Sequence, residues 1–248
     1  MICGAQLYTV REYAKNLEDF AETLKKVADI GYTAVQVSGT CEFEAEWLKE
    51  QLDKNGLICP LTHTKPDRIM GDTENVIREH DIFGAKYIGL GYRKIQAENE
   101  GYDKFESLFR PAAEKISKAG KLFMYHNHAL EFEELDGTII LDTIAERFPA
   151  DIMGFTLDTY WVKRGGYEPV DYVRKFSGRV PCVHFKDLGE ENRMEWLGNG
   201  TIDFEPIIAA CADAGTEYVF VEQDNCNGED PFECLRKSYE YLRACGLK

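Results

Sequence analysis

The chain has 248 residues, 44% hydrophobic and 29% charged, which suffices for one large core in the size range where an α/β barrel forms a single domain. Its formal charge of −15 is spread along the sequence, so the surface repels phosphodiester backbones and anionic lipids, and neither nucleic acid nor membrane is an expected partner. The first residues lack the basic and apolar regions of a signal peptide, and no run of about 18 apolar residues occurs, so a soluble cytoplasmic protein is expected. The eight cysteines, at 3, 41, 59, 182, 211, 226, 234 and 245, form no C-x-x-C pair and read as reduced thiols packed mostly in the core.

In chain order, short apolar runs alternate with longer amphipathic ones. The predicted strands are Cys3–Thr9, Ala34–Ser38, Ile58–His63, Tyr87–Gly91, Leu122–His126, Met153–Asp158, Val180–Phe185 and Tyr218–Glu222. The predicted helices lie near 16–30, 42–55, 73–83, 103–119, 138–147, 168–176, 204–213 and 231–244. Asn16 and Asp72 mark helix starts, and Gly31, Gly56, Gly84, Gly120 and Gly215 mark stops. This β-α order fits an open doubly wound sheet or a closed barrel. The unit count and the lack of G-x-G-x-x-G after the first strand favour a closed (β/α)8 TIM barrel over residues 1–248.

In such a barrel the chemistry lies where strands end. Strand five ends in Tyr125-His126-Asn127-His128, strand six in Leu157-Asp158-Thr159, strand seven in Val183-His184-Phe185-Lys186-Asp187, and strand eight in Val221-Glu222-Gln223-Asp224. Singly, each has a plain explanation: a strand histidine is usually a hydrogen-bonded core or rim residue, Asp158 could cap a helix, and Glu222 could pair with an arginine. Jointly, carboxylates and imidazoles crowded into one low-dielectric mouth are costly unless a cation compensates them. Two carboxylates, imidazoles and no thiolate suit Mn²⁺ best, with Co²⁺, Zn²⁺ and Mg²⁺ as other occupants. His126 and His128 share a face of an extended strand, so either could be the fourth ligand. If the strand stops before residue 128, His128 and Glu131 become loop residues over the cavity, as base or substrate contact.

The remaining polar residues rank below these. His63 reads as a partner of the ligands or a substrate contact. Lys186 faces the cavity or pairs with Asp187 or another carboxylate. Trp161 and Tyr160 stack on a sugar ring or pack the loop. Gln6, Tyr8 and Ser38 line the mouth, and His80 is expected on the surface.

The set Tyr125-His126-Asn127-His128 with Glu131-Phe132, Leu157-Asp158-Thr159-Tyr160-Trp161, His184-Phe185-Lys186-Asp187, Gly198-Asn199-Gly200-Thr201-Ile202-Asp203 and Val221-Glu222-Gln223-Asp224 resembles the sugar phosphate isomerase/epimerase family of xylose-isomerase-like barrels along essentially the whole chain. In that family the ends of strands five to eight supply Glu, Asp, His and Glu to one divalent metal, which implies His126, Asp158, His184 and Glu222 here. The resemblance implies an isomerase or epimerase acting on a sugar or polyol through an enediolate, and the positions of His63, Trp161 and Gln6 at strand ends make them the expected substrate contacts.

His126 replaces a family glutamate, so the paired acid/base glutamates of an epimerase are incomplete. Glu222 remains as base, with the second group drawn from His63, His128, Glu131 or Lys186. That keeps a metal-dependent lyase open, resembling inosose dehydratase or enzymes that cleave oxidised glycosides. A non-catalytic sugar or polyol binder, or a structural subunit of an enzyme pair, is the reading of another class, and a homo-oligomer is left open under either. A DNA-repair endonuclease on this barrel fits poorly, because it needs more than the five histidines present and a less acidic surface.

Overall fold

The computed structural model describes residues 1–92 and 101–247. Among the described residues, parallel strands close into a barrel: β1 (Ile2–Gln6), β2 (Ala34–Val37), β3 (Ile58–His63), β4 (Tyr87–Leu90), β5 (Leu122–His126), β6 (Met153–Asp158), β7 (Cys182–Phe185) and β8 (Tyr218–Val221). Each strand pairs with its neighbours in sequence, and β8 closes on β1 through Ile2 opposite Tyr218 and Ala5 opposite Val221. Helices such as Leu17–Ile30, Gly101–Lys118 and Pro231–Ala244 flank the barrel. The α/β barrel class expected from the sequence is the observed one.

Side chains alternate between two apolar regions, as the two-residue period of a strand requires. Outward residues such as Val35, Phe123, Phe155 and Phe185 pack with the helices. Inward residues Ala34, Leu61, Tyr87, Met124, Cys182 and Phe220 form a separate apolar plug. One strand period beyond this plug the inward positions turn polar: Gln36, His63, His126 and His184, with Asp158 at the end of β6 and Glu222 just past β8.

The element ends differ from the sequence expectation in informative ways. β1 stops at Gln6 rather than Thr9, because the Gln6 side chain accepts a hydrogen bond from Tyr8 N and starts a 3-10 turn over Leu7–Tyr13. β7 begins after Pro181, which has no N–H to pair. Asn16 caps its helix by accepting from Asp19 N, whereas the Asp72 carboxylate instead receives Arg68 and Asn75 side chains. The five stop glycines all take positive φ, as helix ends require. Short helices over Pro66–Gly71 and Thr159–Arg164 were not expected. The cysteines are free thiols, and Cys3, Cys59, Cys182, Cys211 and Cys234 are buried.

His80 is not on the surface. It is 3% exposed, on the inner side of the helix Thr73–Ile82. Its Nδ1–H donates to Val76 O at 2.7 Å, so the neutral ring accepts from Thr62 Oγ1 at Nε2, 2.8 Å away. The acid-rich stretch around His80 suggested exposure, but its apolar neighbours at helical spacing carry it inward. Burial pushes its pKa down to about 4.

With a folded pKa near 4 and an unfolded value near 6.5, only the unfolded chain binds this proton between those limits. The contribution of His80 is therefore complete above about pH 6.5 and falls by up to about 3 kcal/mol as the pH drops towards 4. Urea unfolding of the protein and its His80→Gln variant across that range should show the pH slope reduced by about one proton in the variant. Equal slopes would contradict the assignment.

Candidate metal centre

β5 to β8 bring His126, Asp158, His184 and Glu222 together, with one donor atom from each lying within 4.8 Å of the others. His126 Nε2 is 3.4 Å from Asp158 Oδ2, and His184 Nδ1 is 3.8 Å from the same oxygen and 3.0 Å from Glu222 Oε2. All four side chains are buried.

The imidazoles are held from behind, each with its other nitrogen turned inward. His126 Nδ1 lies 3.0 Å from Gly91 O, and a carbonyl only accepts, so Nδ1 carries the proton and Nε2 faces the cluster. His184 Nε2 donates to Gln36 Oε1 at 2.6 Å, leaving Nδ1 inward and without a hydrogen-bond partner of acceptable geometry. This is the outer support that metal-binding histidines require. Gly91 cannot carry a side chain here, because a Cβ would come 2.8 Å from His63 Nδ1.

Asp158 serves two purposes. Its Oδ1 accepts from Trp161 N at 3.0 Å and caps the helix Thr159–Arg164, while Oδ2 faces the cluster. Its own N–H donates to Asn127 Oδ1, so the asparagine that points away from the histidines fixes β6 against β5. The plain capping role and the ligand role thus belong to different oxygens of one carboxylate.

Lys186 is 1% exposed, and its Nζ lies 3.1 Å from Asp158 Oδ2, 3.0 Å from Glu222 Oε2 and 3.1 Å from Asp224 Oδ1. Burial alone would raise the pKa of Asp158 and Glu222, but the ammonium and the imidazoles hold both well below the carboxylate range. Burial opposes the charge on Lys186, and the three carboxylates more than restore it. Asp224, less enclosed, is pushed by burial and by Glu222 up to about 6. Burial likewise opposes charge on His184, while Glu222 and Asp158 raise its pKa. The pocket thus draws positive charge to itself. The inward His184 Nδ1, the mixed N/O donor set and its burial fit a divalent ion.

The other expected residues divide. His63 stands beside the cluster, its ring centroid 5.2 Å from His126 and 5.6 Å from His184, with Nδ1 3.3 Å from Ser38 Oγ and 3.4 Å from Gln6 Nε2. Its Nε2 is buried without a partner among the described residues, and burial with the neighbouring histidines holds it neutral. Gln6 lines the site, but its Oε1 is committed to Tyr8 N. His128 and Trp161 form a wall with ring centroids 5.2 Å apart, and Lys186 Nζ is 5.5 Å from the Trp161 ring centroid. Burial lowers the His128 pKa to about 3, so this ring is neutral.

Glu131 does not stand free over the cavity. Its oxygens accept from Tyr125 Oη at 2.8 Å and from His128 N at 2.7 Å, because β5 ends at His126 and the following turn folds the carboxylate back. Tyr160 packs the loop, its hydroxyl donating to Asn192 O. Lys186 pairs with Asp158, Glu222 and Asp224 rather than Asp187, whose carboxylate accepts the backbone N–H groups of Leu188, Gly198, Gly200 and Ile202. That accounts for the Gly198-Asn199-Gly200 motif: a Cβ on Gly200 would meet Asp187 Oδ1 at 2.4 Å.

Two contributors escaped the sequence reading, Gln36 and the Gly91 carbonyl. Gln36 had a signal, a lone amide between valines in Val35-Gln36-Val37 at an inward position of β2. The carbonyl had none.

Asp187→Ala leaves buried N–H groups unpaired and should cost about 3 kcal/mol. Denaturant unfolding measures it, and a loss below about 1 kcal/mol would show that the carboxylate does not organise the loop.

Comparison with known proteins agrees with this architecture. Inosose dehydratase of Geobacillus thermodenitrificans is 30% identical over 275 aligned positions, covering 92% of this chain and 90% of the relative. That of Clostridium perfringens is 23% identical, covering 90% and 89%. A sugar phosphate isomerase/epimerase structure from Parabacteroides distasonis superposes with a TM-score of 0.84 at 22% identity, over 97% of each chain. The family model described as xylose isomerase-like TIM barrel matches residues 24–245, and the chain belongs to that family.

Proposed function

We propose that this chain is a divalent-metal-dependent enzyme that takes a proton from the carbon beside the carbonyl of a small keto-polyol and then expels water. The observation that carries the reading is the Lys186 ammonium 3.0 Å from the Glu222 carboxylate at the His126, Asp158, His184 and Glu222 cluster. Those four residues would hold the ion, with Mn²⁺ the best match to two carboxylates and two imidazoles and Co²⁺, Zn²⁺ or Mg²⁺ as substitutes. Bound there, the ion supplies Lewis-acid stabilisation of the negative charge developing on substrate oxygen.

The protein's own groups do the proton work. Glu222, ionised, takes the C–H proton, and an enediolate results. Lys186 donates a proton to the leaving hydroxyl, which departs as water, and the proton on Glu222 returns to Lys186 to reset the site. Acid and base lie on one side of the pocket, which suits loss of H and OH from the same face of a ring. His63 Nε2 is free to bond a substrate hydroxyl, Trp161 and His128 supply a flat wall, and Glu131 holds the His128 turn in place. The relatives named inosose dehydratase support this outcome.

Isomerisation or epimerisation is the second reading, favoured by one observation. His63 offers a neutral, unpartnered imidazole nitrogen beside the cluster, a second site for proton return.

Mn²⁺-loaded protein incubated in D₂O with inososes, keto-sugars and 3-oxo-glycosides tests both. A dehydrated product supports the lyase, and a deuterated isomer or epimer the second reading. Absence of both deuterium and product across the panel would sink the enzyme reading in favour of a binding subunit. Asp158→Ala should lose stoichiometric metal and about a thousandfold in turnover, consistent with several kcal/mol of electrostatic stabilisation. Normal metal content in that variant would contradict the ligand assignment.

A further inference from the structure

The site contains a cation of its own. Lys186 Nζ contacts Asp158 Oδ2 at 3.1 Å and Glu222 Oε2 at 3.0 Å. The same two oxygens face the imidazoles, Asp158 Oδ2 at 3.4 Å from His126 Nε2 and Glu222 Oε2 at 3.0 Å from His184 Nδ1. An ammonium and a divalent ion drawn to the same pair of oxygens repel each other strongly in a water-poor pocket.

Only the end of the lysine is free to give way. Its backbone is clamped to Thr159, whose hydroxyl donates to Lys186 O at 2.8 Å and accepts from Lys186 N at 3.0 Å. Among the described residues, a further carboxylate is in reach. Asp224 receives Nζ through both oxygens, at 3.1 and 3.2 Å, stands outside the four-residue group, and is the most exposed of the three acids at 26%. Three carboxylates around one ammonium leave an excess negative charge that a divalent ion offsets.

We propose that Lys186 is a resident cation that competes with the divalent ion for Asp158 and Glu222, and that Asp224 is the seat that draws the ammonium aside when the ion binds. The inference rests on the metal-dependent reading above. It assigns Asp224 a positioning role: the carboxylate sets metal affinity through the lysine. The pair also keeps the buried acids apart without metal, at the expense of a weaker grip on it.

Calorimetric titration of Mn²⁺ into chelator-treated protein tests this with four forms: unchanged, Lys186→Met, Asp224→Asn and the double variant. Lys186→Met should bind at least about tenfold tighter, and Asp224→Asn about tenfold weaker. The double variant should match Lys186→Met within about threefold, because the seat then has nothing to hold. If Asp224→Asn weakens binding equally with and without Lys186, Asp224 acts as a plain charge and the proposal fails. It also fails if Lys186→Met binds more weakly or unchanged, which would make the lysine a simple organiser of the ligands. Should Lys186→Met not fold, Lys186→Gln takes its place in the same cycle, with the same outcomes supporting or overturning the proposal. Failure of the unchanged protein to bind Mn²⁺ would refute the metal reading itself, a result distinct from the others.

Discussion

The mouth of this barrel depends on how buried negative charge is compensated. Asp158 and Glu222 are both enclosed, and neither could stay ionised there without positive partners within a few ångströms. Lys186 and His184 meet that demand, with His126 beside Asp158, and the surrounding structure keeps them aimed. The Gly91 carbonyl and the Gln36 amide hold the two rings by their N–H groups, while Thr159 clamps the lysine backbone.

The barrel makes this crowding feasible. Its apolar plug around Leu61, Met124 and Phe220 closes the interior below the polar ring, and β2, β3, β5, β6 and β7, with the residue just past β8, deliver polar side chains beyond it. Around that ring, shorter-range devices shape the approach. Asp187 gathers four backbone N–H groups of the loop that follows β7, and Glu131 folds the turn after β5 so that His128 meets Trp161. Both carboxylates accept from donors of the protein itself, though both lie in motifs that read as chemistry. Membership of the xylose isomerase-like family fits this division of labour, in which the fold supplies strand ends and the loops supply the walls.

Much of the fold was legible because it rests on local periodicity. The strands recur where two-residue alternation or continuous apolar runs are strong, and the helices where the spacing is three to four. The departures came from interactions that periodicity does not encode. Gln6 ends β1 early through its own side chain, and His80 is carried inward by the helix beneath an acidic-looking stretch and kept there by Thr62 and Val76 O. The ligand-type residues were legible from their positions at strand ends, but the choice between His126 and His128 was not, because it turned on where β5 stops.

By itself the sequence determined the α/β class, the strand order along the chain, and that Asp158, His184, Glu222 and one histidine of His126-Asn127-His128 end consecutive strands, since each follows from residue type and spacing. Only the tertiary structure decided the direction and partners of those groups. Which imidazole nitrogen faces inward depends on Gly91 O and Gln36, 35 and 148 residues away along the chain. The placement of Lys186 among Asp158, Glu222 and Asp224, rather than beside Asp187, likewise depends on three strand ends meeting. Spacing can say that charges share a mouth, but their mutual distances exist only once the barrel has closed.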